Sequence, residues 1–113
     1  MSSMALLAVL SLSAQQGQSP VMTYDQTVRC AGLTQAASEL EGGESAEGRS
    51  LYDAALYWSL TVIQVGQASR RAPAQVDGDQ TRARVRAVRE LTADDGAARA
   101  ELQRCRARAP SLG

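Results

Sequence analysis

The sequence predicts an all-α domain, a four-helix bundle whose first and last helices are joined by a disulfide. The 113 residues include 20 alanines and no phenylalanine. Small side chains let helices approach closely, whereas strands favour β-branched and aromatic residues. Apolar residues recur at steps of three and four in four segments, which is the period of an amphipathic helix. The two cysteines, Cys30 and Cys105, fall in the first and last of these segments.

Residues 1–14 have the pattern of a secretory signal peptide. Residues 4–12 are apolar, and small residues at 11–14 supply a cleavage site after Ala14. Because no Lys or Arg precedes the apolar run, a frayed helix or a true start at Met22 remains an alternative. Cleavage would leave residues 15–22 as a flexible start, 23–110 as one helical domain and 111–113 as a tail. The predicted location is the periplasm or the cell exterior.

The first helix of the mature chain is predicted from about residue 23 or 25 to residue 40. Its expected buried stripe steps by three, four and three through Cys30, Leu33, Ala37 and Leu40. Residues 41–49 follow as a predicted loop, because they contain two adjacent glycines, three glutamates and no apolar period.

The central helix is predicted over residues 50–71, with Ser50 and Asp53 as a capping box and Pro73 closing the segment. The apolar run is too short and too polar to cross a membrane. The expected buried stripe widens until most of the circumference is apolar, which predicts a helix in the middle of the bundle. That stripe contains Leu51, Ala55, Trp58, Val62 and Val65, and its extension contains Leu56, Leu60 and Ile63.

Two further helices are predicted after a loop at residues 73–79, in which Asp77 and Gly78 form a turn. The third helix spans about residues 80–91, with Arg86 and Glu90 four apart and able to pair. A break at 92–96 offers Thr92 or Asp94 as the cap of a fourth helix over about residues 95–108. The apolar lines are Val85, Val88 and Leu91 in the third helix, and Ala98, Leu102, Cys105 and Ala109 in the fourth.

The two cysteines predict a disulfide if the protein is exported, since each lies on the apolar stripe of its helix. Closing a loop of about 75 residues contributes about 4.5 kcal/mol in the chain-entropy treatment. The alternative is a pair of separate buried thiols that behave as small apolar side chains. A redox enzyme is disfavoured, because the sequence has no Cys-x-x-Cys motif.

The chemistry that the chain lacks argues against an enzyme. It has no histidine, and all 12 of its basic residues are arginines. The commonest general base, nitrogen metal ligand and Schiff-base nucleophile are therefore missing. We predict no catalytic residue, no metal ligand and no cofactor. A hydrolase that uses carboxylates alone would need two acids in one pocket, and the spacing assigns no such pair.

An interaction surface is predicted from the charge distribution and from the central helix. Residues 1–69 contain two arginines and six acids, whereas residues 70–113 contain ten arginines and six acids. We predict a non-enzymatic binding or stress-related module whose partner is a protein, met at the arginine-rich face or at an apolar groove beside the Trp. Surplus apolar surface on the central helix predicts a second copy as another partner. The predicted surface residues are Trp58, Arg82, Arg86, Arg89, Arg104 and Arg108.

The second hypothesis is a cytosolic nucleic-acid-binding protein that begins at Met22. Arginines on one helix face can neutralise phosphates, and three of them share a face of the third helix. Four interleaved acids, a neutral total charge and an export signal disfavour nucleic acid as a partner in our preferred interpretation.

The chain resembles a loose class of small exported all-helical proteins of Gram-negative bacteria. The resemblance rests on the leader, on VRCAGL at 28–33, on LYDAALYW at 51–58 and on LQRCRA at 102–107, and it covers most of the mature chain. It implies a periplasmic helical domain with one cysteine near each end and implies no activity. The outline is also similar to disulfide-linked periplasmic acid-stress chaperones, although no motif of theirs is matched here.

Overall fold

The computed structural model describes residues 22–110 and folds them into four α-helices, with no strand in that range. This arrangement confirms the predicted all-α fold. The predicted disulfide is also confirmed, since Cys30 and Cys105 are bonded at an S–S distance of 2.06 Å. The predicted signal peptide, most of the polar start and the tail lie outside these residues. The helices are α1 (Tyr24–Glu41), α2 (Ala46–Ala68), α3 (Pro73–Thr92) and α4 (Gly96–Arg108).

The middle of the bundle is α1, not α2 as predicted from its broad apolar stripe. α1 packs against all three other helices, and its most extensive contacts are with α2 and α3. Small residues make this possible: a Cβ on Gly32 would lie 2.7 Å from the Cβ of Ala83. Thr27 and Thr34 can be buried in α1 as well, because their hydroxyls donate to the carbonyls of Thr23, the N-cap of α1, and of Cys30.

The start of α2 differs from the prediction by four residues. Ser45 caps the helix by accepting a hydrogen bond from the Gly48 amide at 2.9 Å, so the predicted Ser50 capping box is wrong. A Cβ at Gly48 would collide with the carbonyl oxygen of Gly42. The loop therefore shortens to residues 42–45, because glycine at position 48 lets the chain turn tightly against the new helix.

Residues 73–79 are the first part of α3, so the predicted loop and its Asp77–Gly78 turn are wrong. Pro73 is the first residue of the helix. Proline is well suited to this position, since its φ is already helical and its missing N–H would have no partner in the first turn. The same proline that excludes helical geometry at Ala72 thus begins the next helix.

The buried stripe of α4 agrees with the prediction at Ala98, Leu102 and Cys105. Its cap is Asp95, whose carboxylate accepts from two backbone amides, rather than Thr92 or Asp94. In α1, Leu40 was predicted to be buried but is exposed, because it lies on the last turn of the helix. In α3 the core residues are Val76, Ala87 and Leu91, whereas Val85 and Val88 of the predicted line are only half-buried.

None of the helices between residues 22 and 110 has the length and apolarity of a membrane span.

Candidate interaction surfaces

Trp58 is a core residue and does not lie on an interaction surface. Its side chain is 3% exposed, and its indole N–H donates to the backbone carbonyl of Cys105 at 3.0 Å. The indole also packs edge-on against Tyr57, with ring centroids 5.1 Å apart. The predicted groove beside this residue is therefore replaced by a helix contact, since the indole joins α2 to α4 next to the disulfide.

The outer side of α2 carries an exposed apolar strip, which we call the apolar face. At 100° per residue, its members fall within about 80° of arc, on the side of α2 opposite Trp58. Three of the four were predicted to extend the buried stripe, yet all four are 42–59% exposed, because α1 buries only the other side of the helix. The apolar face consists of Tyr52, Leu56, Leu60 and Ile63.

A small cavity of about 250 Å³ lies at one end of the apolar face. Ile63 belongs to both the face and the cavity, and Pro73 and Val76 of α3 form the opposite wall. Arg71 borders the cavity and lies over the Tyr24 ring, 3.8 Å from its centroid. The exposed strip of α2 is thus continuous with a recess between α2 and α3 that could receive an apolar side chain.

Arg29 connects three helices through an ion-pair network. Its guanidinium donates to Glu90 of α3 at 2.6 Å and to both carboxylate oxygens of Glu101 of α4, at 2.9 and 3.2 Å. Burial opposes the charge of Arg29, but the hydrogen bonds to Glu101 and Glu90 outweigh it and raise the arginine pKa. Arg86 adds a second contact to Glu90 at 3.2 Å, which confirms the pair predicted within α3.

The predicted arginine surface divides into paired and unpaired residues. Arg82 forms an ion pair with Asp79, and Arg86 forms one with Glu90. In the part of the chain that the structure describes, no carboxylate lies within 4.0 Å of the side chains of Arg89, Arg104 or Arg108. Carboxylates therefore pair with two of the five predicted arginines, so the predicted surface is not a continuous stripe of unpaired positive charge.

Three of the five predicted arginines come together in a groove beside the disulfide, which we call the basic groove. The groove has a volume of about 580 Å³ and lies between the start of α1, α3 and the end of α4. Arg82 and Arg89 of α3 are not among its lining residues. The charged residues that line it are Arg29, Arg86, Arg104, Arg108, Asp25 and Glu101, and the rest are Met22, Gln26, Cys30 and Cys105.

Sequence reasoning missed Arg29 and Tyr52, and it anticipated surplus apolar surface on the central helix without saying which residues would be exposed. Arg29 is one position before Cys30, so the disulfide places it opposite α4. An arginine next to a cysteine predicted to pair was the only signal for this site. The breadth of the apolar stripe indicated surplus surface, but periodicity could not separate its exposed members from its buried ones, since both have the same period.

The Glu101 contact predicts a loss of stability in acid. The hydrogen bond from Arg29 lowers the pKa of Glu101, and burial opposes that shift. A lowered folded-state pKa stabilises the fold above the unfolded value, about 4.3, and this contribution is lost as the pH falls through the folded pKa. We therefore expect the urea midpoints of the wild-type protein and Glu101→Gln to differ at pH 7 and to converge as the pH falls from about 5 to 3.

Glu41→Gln is the matched control for this experiment, because Glu41 is exposed and makes no ion pair within residues 22–110. Its midpoint should differ from that of the wild-type protein at pH 7 by much less than the midpoint of Glu101→Gln does. A constant difference between Glu101→Gln and the wild-type protein across this range would contradict the assignment.

Within residues 22–110, no group of three or more histidine, cysteine, aspartate or glutamate side chains is arranged to hold a metal ion. Comparison of the chain with protein-family models, with curated proteins and with solved structures gave no match. The arguments for function therefore rest on the apolar face and the basic groove.

Proposed function

We propose that this protein is an exported, non-enzymatic interaction module that assembles through the apolar face of α2. The observation that carries the proposal is the exposure of Tyr52, Leu56, Leu60 and Ile63, four large side chains on one side of one helix. Contiguous apolar surface on a small domain is typical of a protein interface, since water contact with it is unfavourable. A second copy of the chain is the simplest partner, because two such strips can pack along each other.

The recess at the end of the apolar face supports an interface. Binding energy concentrates where an apolar anchor of one partner fills a pocket of the other. The cavity of about 250 Å³ beside Ile63 can receive such an anchor. In a symmetric dimer, each copy would supply both the strip and the recess.

Export is the compartment that we propose for this module. The pairing of Cys30 with Cys105 is compatible with an oxidising compartment. The apolar and small residues of 1–14 support a signal peptide that directs the chain to the periplasm. The lack of histidine and lysine supports a role in binding rather than in catalysis.

The proposal is tested by sedimentation of the oxidised protein over a range of concentrations. We expect a dimer that dissociates on dilution, and we expect Leu60→Glu to sediment as a monomer, because a buried unpaired carboxylate strongly disfavours an apolar interface. Gln103→Glu is the control, since it adds the same charge at an exposed position on α4. It should leave the dimer unchanged.

A wild-type protein that remains monomeric at high concentration would exclude the second copy. The module would then need a different partner on the same face. A photo-crosslinking residue at Leu60 should capture one discrete protein in exporting cells, and the same residue at Gln103 should not. Equal labelling at both positions, together with a monomer in sedimentation, would contradict the proposed interface.

A further inference from the structure

We propose that the basic groove is a second binding site, and that its ligand is an acidic peptide segment with two carboxylates about 6 Å apart. The groove lies on α1, α3 and α4 and shares no residue with the apolar face of α2. The inference therefore goes beyond the proposed function, and an experiment can refute one of the two proposed sites without refuting the other.

The charge of the groove favours an anion with few charges. Four arginines and two acids line it, and Glu90 beside it pairs with two of the arginines, so two positive charges, those of Arg104 and Arg108, have no carboxylate within 4.0 Å in the described residues. Asp25 and Glu101 interrupt the basic surface and would repel the phosphates of a nucleic acid, whose duplex carries one negative charge per about 1.7 Å of helix axis with both strands counted. A ligand with two carboxylates can neutralise the two unpaired arginines and avoid both acids.

The arginines of the groove differ in their availability. Glu90 and Glu101 engage all three nitrogens of the Arg29 guanidinium, so this side chain forms part of the scaffold. Arg86 contacts Glu90 through its Nε alone, and its side chain is 69% exposed. Arg104 and Arg108 have no carboxylate within 4.0 Å in the described part of the chain. These last two are therefore the primary anion-binding residues, with Arg86 beside them.

The spacing of Arg104 and Arg108 suits a ligand with two nearby carboxylates. They lie four residues apart on α4, so their Cβ atoms are about 6 Å apart on one side of the helix. Alternate residues of an extended peptide are about 6.6 Å apart and point to the same side. A Glu-x-Glu segment can therefore place one carboxylate on each guanidinium, and guanidinium and carboxylate can form two parallel hydrogen bonds.

The apolar part of the groove favours a peptide over a small free anion. Met22 and the Cys30–Cys105 disulfide are among the lining residues, and the volume of about 580 Å³ exceeds what two carboxylates fill. The methylene groups of glutamate side chains and the adjacent backbone can cover this apolar surface. A small inorganic anion would leave it exposed to water.

The test is fluorescence anisotropy of the oxidised protein with a labelled Gly-Ser-Glu-Leu-Glu-Ser-Gly peptide. We expect saturable binding at low salt that weakens as salt screens the charges. The same peptide with Gln in place of both Glu residues should bind at least about 10-fold more weakly, as expected for a loss of about 1.4 kcal/mol. Arg104→Gln combined with Arg108→Gln should weaken the binding of the acidic peptide by a similar factor.

Arg82→Gln combined with Arg89→Gln is the matched control, since it removes two charges from α3 outside the groove. It should change the affinity by less than about 2-fold. An equal loss of affinity in both double variants would show that the peptide responds to the overall positive charge of the protein, and it would overturn the proposed site. Absence of peptide binding, or tighter binding of a single-stranded oligonucleotide of equal charge, would also overturn it. Circular dichroism and urea midpoints of both double variants show that the fold is retained.

Discussion

Loss of the Cys30–Cys105 disulfide is expected to lower the free energy of unfolding by about 4.5 kcal/mol. The two cysteines are 75 residues apart in sequence, so the bond restricts most of the unfolded domain. Domains of this size are stable by only about 5–15 kcal/mol, and this core consists largely of alanine, leucine and valine. The bond is therefore expected to decide whether the domain is folded.

The measurement is urea unfolding of the wild-type protein with and without reductant, alongside Cys30→Ala combined with Cys105→Ala. Reductant should lower the midpoint of the wild-type protein to that of the double variant and leave the variant unchanged. Trp58 fluorescence reports the same transition, because its indole contacts the Cys105 carbonyl. An unchanged wild-type midpoint in reductant would contradict the expected contribution of the bond.

Gly32→Ala is expected to destabilise the protein by about 2–3 kcal/mol through overpacking between α1 and α3. The added Cβ would lie 2.6 Å from the carbonyl carbon of Ala83 and 2.7 Å from its Cβ. Neither atom is at the end of a flexible side chain, so the helices themselves must separate. Ala87, one turn along α3 from Ala83, is fully buried and would then lose packing.

Gly78→Ala is the matched substitution, because Gly78 lies in the interior of α3. A Cβ there would lie 3.4 Å from the guanidinium of Arg82, which is flexible and exposed. Alanine also has the better helix propensity, so this variant should be more stable by about 0.5–1 kcal/mol. Equal unfolding midpoints for the two alanine variants would contradict the close helix contact.

The fold class and the disulfide could be predicted from the sequence because they depend on local periodicity and on cysteine placement. The position of α1 at the centre could not, since hydropathy undervalues the residues that put it there. Gly32 and Ala83 allow close approach, and Thr27 and Thr34 bond to backbone carbonyls in α1 itself. Buried threonines of this kind look polar in a sequence.

Helix ends were the least predictable feature, because several residues can end or begin a helix. α2 ends after Ala68, and Arg70 takes a left-handed conformation with φ of 61°. The amide of Arg71 then donates to the Gly66 carbonyl, which closes the last turn. Glycine is the usual residue at this position, so an arginine there gave no signal in the sequence.

The basic groove could be predicted only in part. Arg86, Arg104 and Arg108 were identified as surface charges, but their meeting depends on how α3 and α4 pack around α1. Arg82 and Arg89 are arginines of α3 like Arg86, yet they lie outside the groove. The sequence therefore identified arginines that are exposed, whereas tertiary packing determined which of them meet.

The start of α1 and the end of α4 lie together, since Met22 and Arg108 line the same groove. A short linker between them would close the domain into a ring, and new termini could be opened in the loop at residues 42–45. In that circular permutant, the same two cysteines would close a loop of roughly 20 residues, and the bond would contribute about 3 kcal/mol instead of about 4.5. The stabilisation by the disulfide thus depends on the order of the helices along the chain as well as on the bond itself.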